Sequence, residues 1–231
     1  MQAKDAPEAA AVEAGGVADR RPSRDRVGGR TRTKPWQRGT SLAIVVVAGL
    51  LTAGAGMTAA NAYEAGDLPK VEAWVRSGYA DVAHMNATEL ASLIRNGRPL
   101  ILFDVREADE FAVSHIPGAV RVDPGVWTNS FLSKFGGAVA GRAVVFYCSV
   151  GVRSSKLAGR VQAALKERGA EAVYNLEGGV FRWHNERRGL ADVRGTTERV
   201  HPYDRSWGKL IDRQNLIAIE PQQSEAPPAI R

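Results

Sequence analysis

Cys148 is the only cysteine in the 231-residue chain, and the residues after it are suited to a reactive thiol. The thiolate is the nucleophilic form of cysteine, so reactivity requires surroundings that favour negative charge. In the stretch Val145–Ser154 (VFYCSVGVRS) the sulfur is followed by Gly151 and Arg153. Glycine permits a tight curl that turns successive N–H groups inward as an anion nest. Ser149, Val150 and Val152 supply further amides to that curl. Arg153 adds a fixed positive charge with a fork of donors suited to an oxyanion. Ser154 or Ser155 is placed to cap a helix or to donate another hydrogen bond. Against this stands the simpler reading of a lone cysteine as a small buried hydrophobe. With one cysteine, an intramolecular disulfide is excluded in any compartment.

The flanking elements decide where that thiol sits. Ala143–Tyr147 is an apolar, β-branched and aromatic run, the pattern of a buried strand. Through Arg153–Arg168, Leu157, Val161, Ala164 and Leu165 recur at helical spacing. Cys148 therefore falls just ahead of a helix N-terminus, where free amides and the dipole favour an anion. Upstream, Leu68, Val71, Trp74 and Val75 predict a short amphipathic helix. Asn86 and Glu89 have the spacing of a capping box, Leu90, Leu93 and Ile94 line the apolar face, and Gly97 stops the helix. Pro99–Val105 reads as a buried strand running into Asp104 and Arg106, and Glu107–Ser114 as a helix with an acidic start. Ala119–Val122 is a short strand, and Trp127, Phe131, Leu132 and Phe135 predict a helix whose aromatic residues join the core. Ala172–Leu176 is a further strand, Glu177–Gly179 a turn and Val180–Arg187 the start of a last helix.

Strands alternating with helices imply an α/β fold, a central parallel sheet flanked by helices on both faces. Ligands in such sheets bind outside the carboxyl ends of the strands. Asp104 and Cys148 both fall there, so they can meet in one pocket, with Asp104 and Arg106 as supporting rather than reacting groups. His115 reads as a turn residue. His184 and His201 have no partner at metal-ligand spacing, so neither a metal nor a cofactor is expected.

Charge is unevenly distributed. Residues 1–62 carry nine Lys/Arg and five Asp/Glu, while residues 63–231 carry 22 and 20. A nearly neutral folded part speaks against a nucleic-acid partner. Residues 1–39 are rich in Ala, Gly and Arg and read as a disordered basic segment. Residues 40–62 hold no charged side chain, include LAIVVVAGLL, and end in Ala60-Asn61-Ala62, a small-x-small cleavage pattern. They read as a signal peptide, with a single-pass membrane anchor as the alternative. Either one places the domain in the periplasm or otherwise outside the cytoplasm, with membrane contact only through these residues. Residues 63–83 form a helical lead-in, 84–190 the domain, and 191–231 an extension whose end is disordered.

Three segments in register resemble rhodanese-family sulfurtransferases across residues 84–190. The loop from Cys148 to Arg153 is similar to that family's active-site loop. Leu102–Arg106, with Glu107, Phe111 and His115–Ala119, resembles the family's first signature. Glu177–Gly179 followed by Trp183 resembles the segment after its last strand, and Val200–Gly208 is similar to the tail of some small bacterial members. The resemblance implies a rhodanese-like fold and a thiosulfate sulfurtransferase type of enzyme in which Cys148 is catalytic. In that chemistry, Cys148 takes sulfur from a donor such as thiosulfate as a persulfide held by Ser149, Val150, Gly151, Val152, Arg153 and Ser154. A thiol or cyanide then accepts it, and a protein sulfur acceptor is a further partner of the same chemistry.

Two rivals share the fold. A phosphatase or arsenate reductase generally has histidine before the cysteine and five residues between cysteine and arginine. Here Tyr147 precedes Cys148 and four residues intervene, a smaller cradle that fits sulfur. The other rival is a persulfide carrier or interaction module without turnover of its own, which would use the same loop.

Overall fold

The computed structural model describes residues 66–222. The expected basic segment, the signal or anchor at 40–62 and the last nine residues lie outside them. No helix among the described residues is long and apolar enough to cross a membrane.

In chain order the elements are α1 (Leu68–Gly78), β1 (Ala83–Met85), α2 (Ala87–Arg95), β2 (Leu100–Asp104), α3 (Ala108–Val113), β3 (Val120–Arg121) and α4 (Thr128–Phe135). They continue as β4 (Ala143–Tyr147), α5 (Val152–Glu167), β5 (Ala172–Leu176), α6 (Gly179–Asn185), β6 (Leu190–Asp192) and β7 (Gly195–Thr197). Strands β1 to β5 form one parallel sheet in the order β1-β5-β4-β2-β3. Cys148 thus leaves the central strand, with Asp104 opposite Tyr147 in the neighbouring one.

Successive side chains of a strand point to opposite faces, and β4 sorts its residues accordingly. Val145 and Tyr147 join one buried cluster with Val71 and Val75 of α1, Leu90 of α2 and Val180 and Phe181 of α6. Val144 and Phe146 join the other, with Phe131 of α4 and Leu157, Val161 and Leu165 of α5. Helices therefore cover both faces, as the alternation of elements in the sequence requires. The capping box at α2 is present in full, with Glu89 N–H on Asn86 Oδ1 at 2.9 Å and Asn86 N–H on Glu89 Oε2 at 2.8 Å.

Two expectations need correction. Trp127 is not core: it is 80% exposed, whereas Phe131 is fully buried and Phe135 meets Phe103 edge-on at 4.9 Å. Trp127 is the extended N-cap residue of α4, so the helical period that buries Phe131 does not reach it. Strand β1 lies at the end of the helical lead-in, where the sequence marks no strand, because three residues with one buried side chain carry no readable alternation. It extends the sheet by pairing Ala83–Met85 with Tyr174–Leu176.

The segment after residue 190 is no loose appendage. Strands β6 and β7 form an antiparallel ribbon, and His115 and Ala191 exchange backbone hydrogen bonds of 2.8 Å. Val200, Leu210 and Ile211 are buried in the same cluster as α1 and α6. This brings Tyr203 and Trp207 over the carboxyl end of β4.

Candidate active site

The backbone after Cys148 reverses direction because Gly151, the N-cap of α5, adopts φ +106°, which an L side chain rarely takes up. This turns the Gly151 N–H onto Cys148 Sγ at 3.2 Å. The carbonyls of the same turn point the other way. Cys148 O accepts from Val180 N–H at 2.9 Å and Ser149 O from Phe181 N–H at 3.1 Å. The first turn of α6 thus satisfies the loop's acceptors and leaves its donors for the sulfur. This explains the paired glycines at 178 and 179, which take φ +64° and +53°. A Cβ on Gly179 would lie 2.2 Å from Cys148 O.

Cys148 is 1% exposed. Burial alone raises a thiol's pKa, but the Arg153 guanidinium, Ser154 and the Val150 amide outweigh it and hold the Cys148 pKa below its ordinary value. The Ser154 hydroxyl has one proton and donates it to Asn175 Oδ1 at 2.7 Å. Arg153 and the amides therefore supply most of the support for the thiolate.

Arg153 does not stand free to grip an anion. Its Nη1 and Nη2 donate to Glu110 Oε2 and Oε1 at 2.6 and 2.8 Å, and Nη2 also donates to Ser149 Oγ at 2.9 Å. Ser149 Oγ in turn donates to Glu110 Oε1 at 2.9 Å. Burial pushes the Glu110 carboxyl up, but Arg153 more than reverses this and keeps it ionised. Glu110 comes from α3, whose acidic start reads in the sequence as a match to the helix dipole and does not by itself mark this residue as the partner of Arg153.

Asp104 and Arg106 lie beneath the pocket and do not line it. Both are fully buried, and Arg106 donates to both Asp104 oxygens at 2.8 and 2.6 Å and to Ser114 O at 2.7 Å. Burial works against the Arg106 charge and the Asp104 carboxylate overcomes it, leaving the guanidinium firmly protonated. Together they brace the β2–α3 turn that leads into α3, the helix of Glu110. Tyr147 Oη accepts from Ile116 N–H at 3.1 Å, tying β4 to the turn after α3.

Above the sulfur opens a pocket of about 190 Å³ lined by Trp74, Val150, Val152, Arg153, Tyr203 and Trp207 together with Cys148 and Ser149. Helix α1 is clamped over it by Arg76 on Glu177 at 2.6 Å and by Arg182 on Glu72 at 2.7 and 2.8 Å. These pairs fix Trp74. Tyr203 is held in the left-handed region at φ +66°, a conformation that costs a bulky residue about 1–3 kcal/mol. Its N–H donates to His201 Nδ1 at 3.0 Å, and its ring lies 4.8 Å from the Arg153 guanidinium carbon.

Residues 86–186 match the family model described as the rhodanese-like domain. The chain carries a rhodanese-like domain. It is 31% identical over 125 residues to a tRNA uridine(34) hydroxylase of Burkholderia ambifaria, covering 53% of this chain and 39% of the relative. A tRNA uridine(34) hydroxylase of Thiobacillus denitrificans is 36% identical over 92 residues, covering 39% and 36%. The chain thus spans about two fifths of the length of these curated relatives. Among solved structures, a human single-domain sulfurtransferase aligns at 24% identity and a TM-score of 0.34, covering 44% of this chain and 95% of that one. A thiosulfate sulfurtransferase from Pseudomonas aeruginosa aligns at 19% and 0.42, covering 66% and 27%. The matched rhodanese-like domain contains the Cys148 loop, Glu110 and the Gly178–Gly179 turn. Trp74, Tyr203 and Trp207 lie outside it on either side.

Proposed function

We propose that the chain is a sulfurtransferase that carries a sulfane sulfur on Cys148. The observation that carries this reading is a buried thiol faced at once by main-chain amides and by the Arg153 guanidinium, which keep its pKa low. The Cys148 thiolate attacks the outer sulfur of a donor such as thiosulfate. A new S–S bond forms, the donor's S–S bond breaks, and sulfite leaves with the bonding pair. The amides from Ser149 to Arg153 then hold the negative outer sulfur of the persulfide. A thiol or cyanide attacks that sulfur and releases Cys148 as thiolate. Such two-step covalent transfer gives ping-pong kinetics.

Mass spectrometry after donor treatment tests the reading. One added sulfur is expected on wild-type Cys148 and none on Cys148→Ser, which keeps the fold and loses turnover. Full turnover by Cys148→Ser overturns it. An adduct that no small acceptor discharges converts the reading into that of a persulfide carrier for another protein.

A second reading, uridine modification in tRNA, is favoured only by the names of the matched relatives. The near balance of 22 basic and 20 acidic residues over 63–231 offers a phosphate backbone little to hold. Conversion of uridine 34 in unmodified tRNA by the purified chain would establish it. We further propose that residues 40–62 deliver the domain outside the cytoplasm. Sequencing the N-terminus of the exported protein separates cleavage near Tyr63 from a retained anchor.

A further inference from the structure

We propose that the sulfur compound served by this site bears a flat apolar group of about one ring, seated between Trp74, Tyr203 and Trp207. The inference rests on the sulfurtransferase reading and adds the class of its substrate.

Three observations converge on it. The first is charge. A small oxyanion donor with two negative charges would need a free cationic fork, but both outer nitrogens of Arg153 are engaged by the Glu110 carboxylate. The pair is close to neutral overall, so it offers a doubly charged donor little net attraction, while the Arg153 guanidinium and the loop amides still face the single charge at the sulfur. The second is the wall. The pocket above Cys148 is lined almost wholly by apolar surface, most of it indole, phenol ring and valine. Its volume of about 190 Å³ is on the scale of the ~150 Å³ cavity that takes up benzene.

The third is that the wall is built and held. Trp74 sits on a helix tied down by two ion pairs across to the Glu177–Arg182 segment. Tyr203 keeps a left-handed backbone that a bulky side chain ordinarily avoids, while the residue stays 48% exposed. A tyrosine held in such a conformation without being buried is better explained by what its ring faces than by core packing. It faces Arg153 and the pocket. All three aromatic residues lie outside residues 86–186, so the wall is built by the segments that flank the matched domain.

An aryl thiosulfonate is the simplest donor of this class. The Cys148 thiolate attacks its terminal sulfur, the S–S bond breaks, and the aryl sulfinate leaves with the electron pair. Charge is conserved, with one thiolate and one thiosulfonate giving one persulfide anion and one sulfinate.

The test compares kcat/KM for benzenethiosulfonate, methanethiosulfonate and thiosulfate on the full chain, with cyanide as acceptor. Benzenethiosulfonate should exceed both others by at least about tenfold, since each added apolar group seated in a fitted pocket gives roughly 10–200-fold. Trp207→Leu and Trp74→Leu should shrink the benzene-to-methane ratio several-fold while Cys148 still takes up sulfur from methanethiosulfonate. Benzenesulfinate should compete with donor more strongly than methanesulfinate, a comparison that needs no variant. Equal use of the three donors overturns the proposal, as does a ratio that survives both substitutions. Sulfur uptake by Cys148 from none of the donors overturns the sulfurtransferase reading itself, which makes the two failures distinguishable.

Discussion

Replacing Arg153 by glutamine should separate the two tasks given to its guanidinium, holding Glu110 and supporting the Cys148 thiolate. Glu110 is 2% exposed and Arg153 23%, with contacts of 2.6 and 2.8 Å. Removing one partner of a buried ion pair costs about 3–5 kcal/mol, because the other charge is stranded. The partial exposure of Arg153 places this loss near the lower bound, about 3 kcal/mol. Adding Glu110→Gln neutralises the stranded carboxylate and should restore roughly 2 kcal/mol, which urea denaturation of both single variants and the double variant would measure as a coupling term. The thiol behaves differently. Burial raises its pKa and Arg153 is the leading opposing influence, so the pKa should rise in Arg153→Gln and stay raised in the double variant. Iodoacetamide alkylation from about pH 5 to 9 follows the thiolate fraction directly. Both Arg153→Gln proteins should react slowly at neutral pH, while Glu110→Gln alone should react at least as fast as wild type. If the double variant regains stability and also reacts as fast as wild type, the amides alone sustain the thiolate and the role given to Arg153 is refuted.

Two further substitutions probe the supports of the loop. Gly179→Ala places a Cβ 2.2 Å from Cys148 O at φ +53° and should destabilise by about 3 kcal/mol or more, with slowed alkylation, as thermal unfolding and reaction with iodoacetamide would show. Asp104→Asn strands the fully buried Arg106 guanidinium and should cost about 3–5 kcal/mol in urea denaturation, although Asp104 never touches the pocket.

The sheet, its helices on both faces and the position of Cys148 were legible because each rests on local pattern. The run Ala143–Tyr147, the spacing of Leu157, Val161 and Leu165 and the flexibility of Gly151 act within a few residues of one another. What escaped reading depends on contacts distant in sequence. Glu110 lies 43 residues from the arginine it holds, and nothing in its own neighbourhood distinguishes it from a helix-dipole acid. Tyr203 and Trp207 fall in a segment with neither helical nor strand period, so their shared direction emerges only when the chain folds back. Asp104 was expected to reach the pocket because it ends a strand beside β4. A buried arginine two residues on claims both of its oxygens instead.

The aromatic wall over Cys148 joins residues from α1 to residues beyond β7, more than half the chain apart. Each end docks separately on the domain between them, α1 through its ion pairs to Glu177 and Arg182 and the later segment through Val200, Leu210 and Ile211, and the wall is complete only when both have done so. The strand, the cysteine turn and helix α5 are contiguous and can order first. A partly made chain in which the cysteine turn and α6 have folded but Tyr203 and Trp207 have still to dock would present the sulfur to bulkier electrophiles than the finished protein admits. Reactivity of Cys148 toward a bulky maleimide would thus report how far the chain had been made.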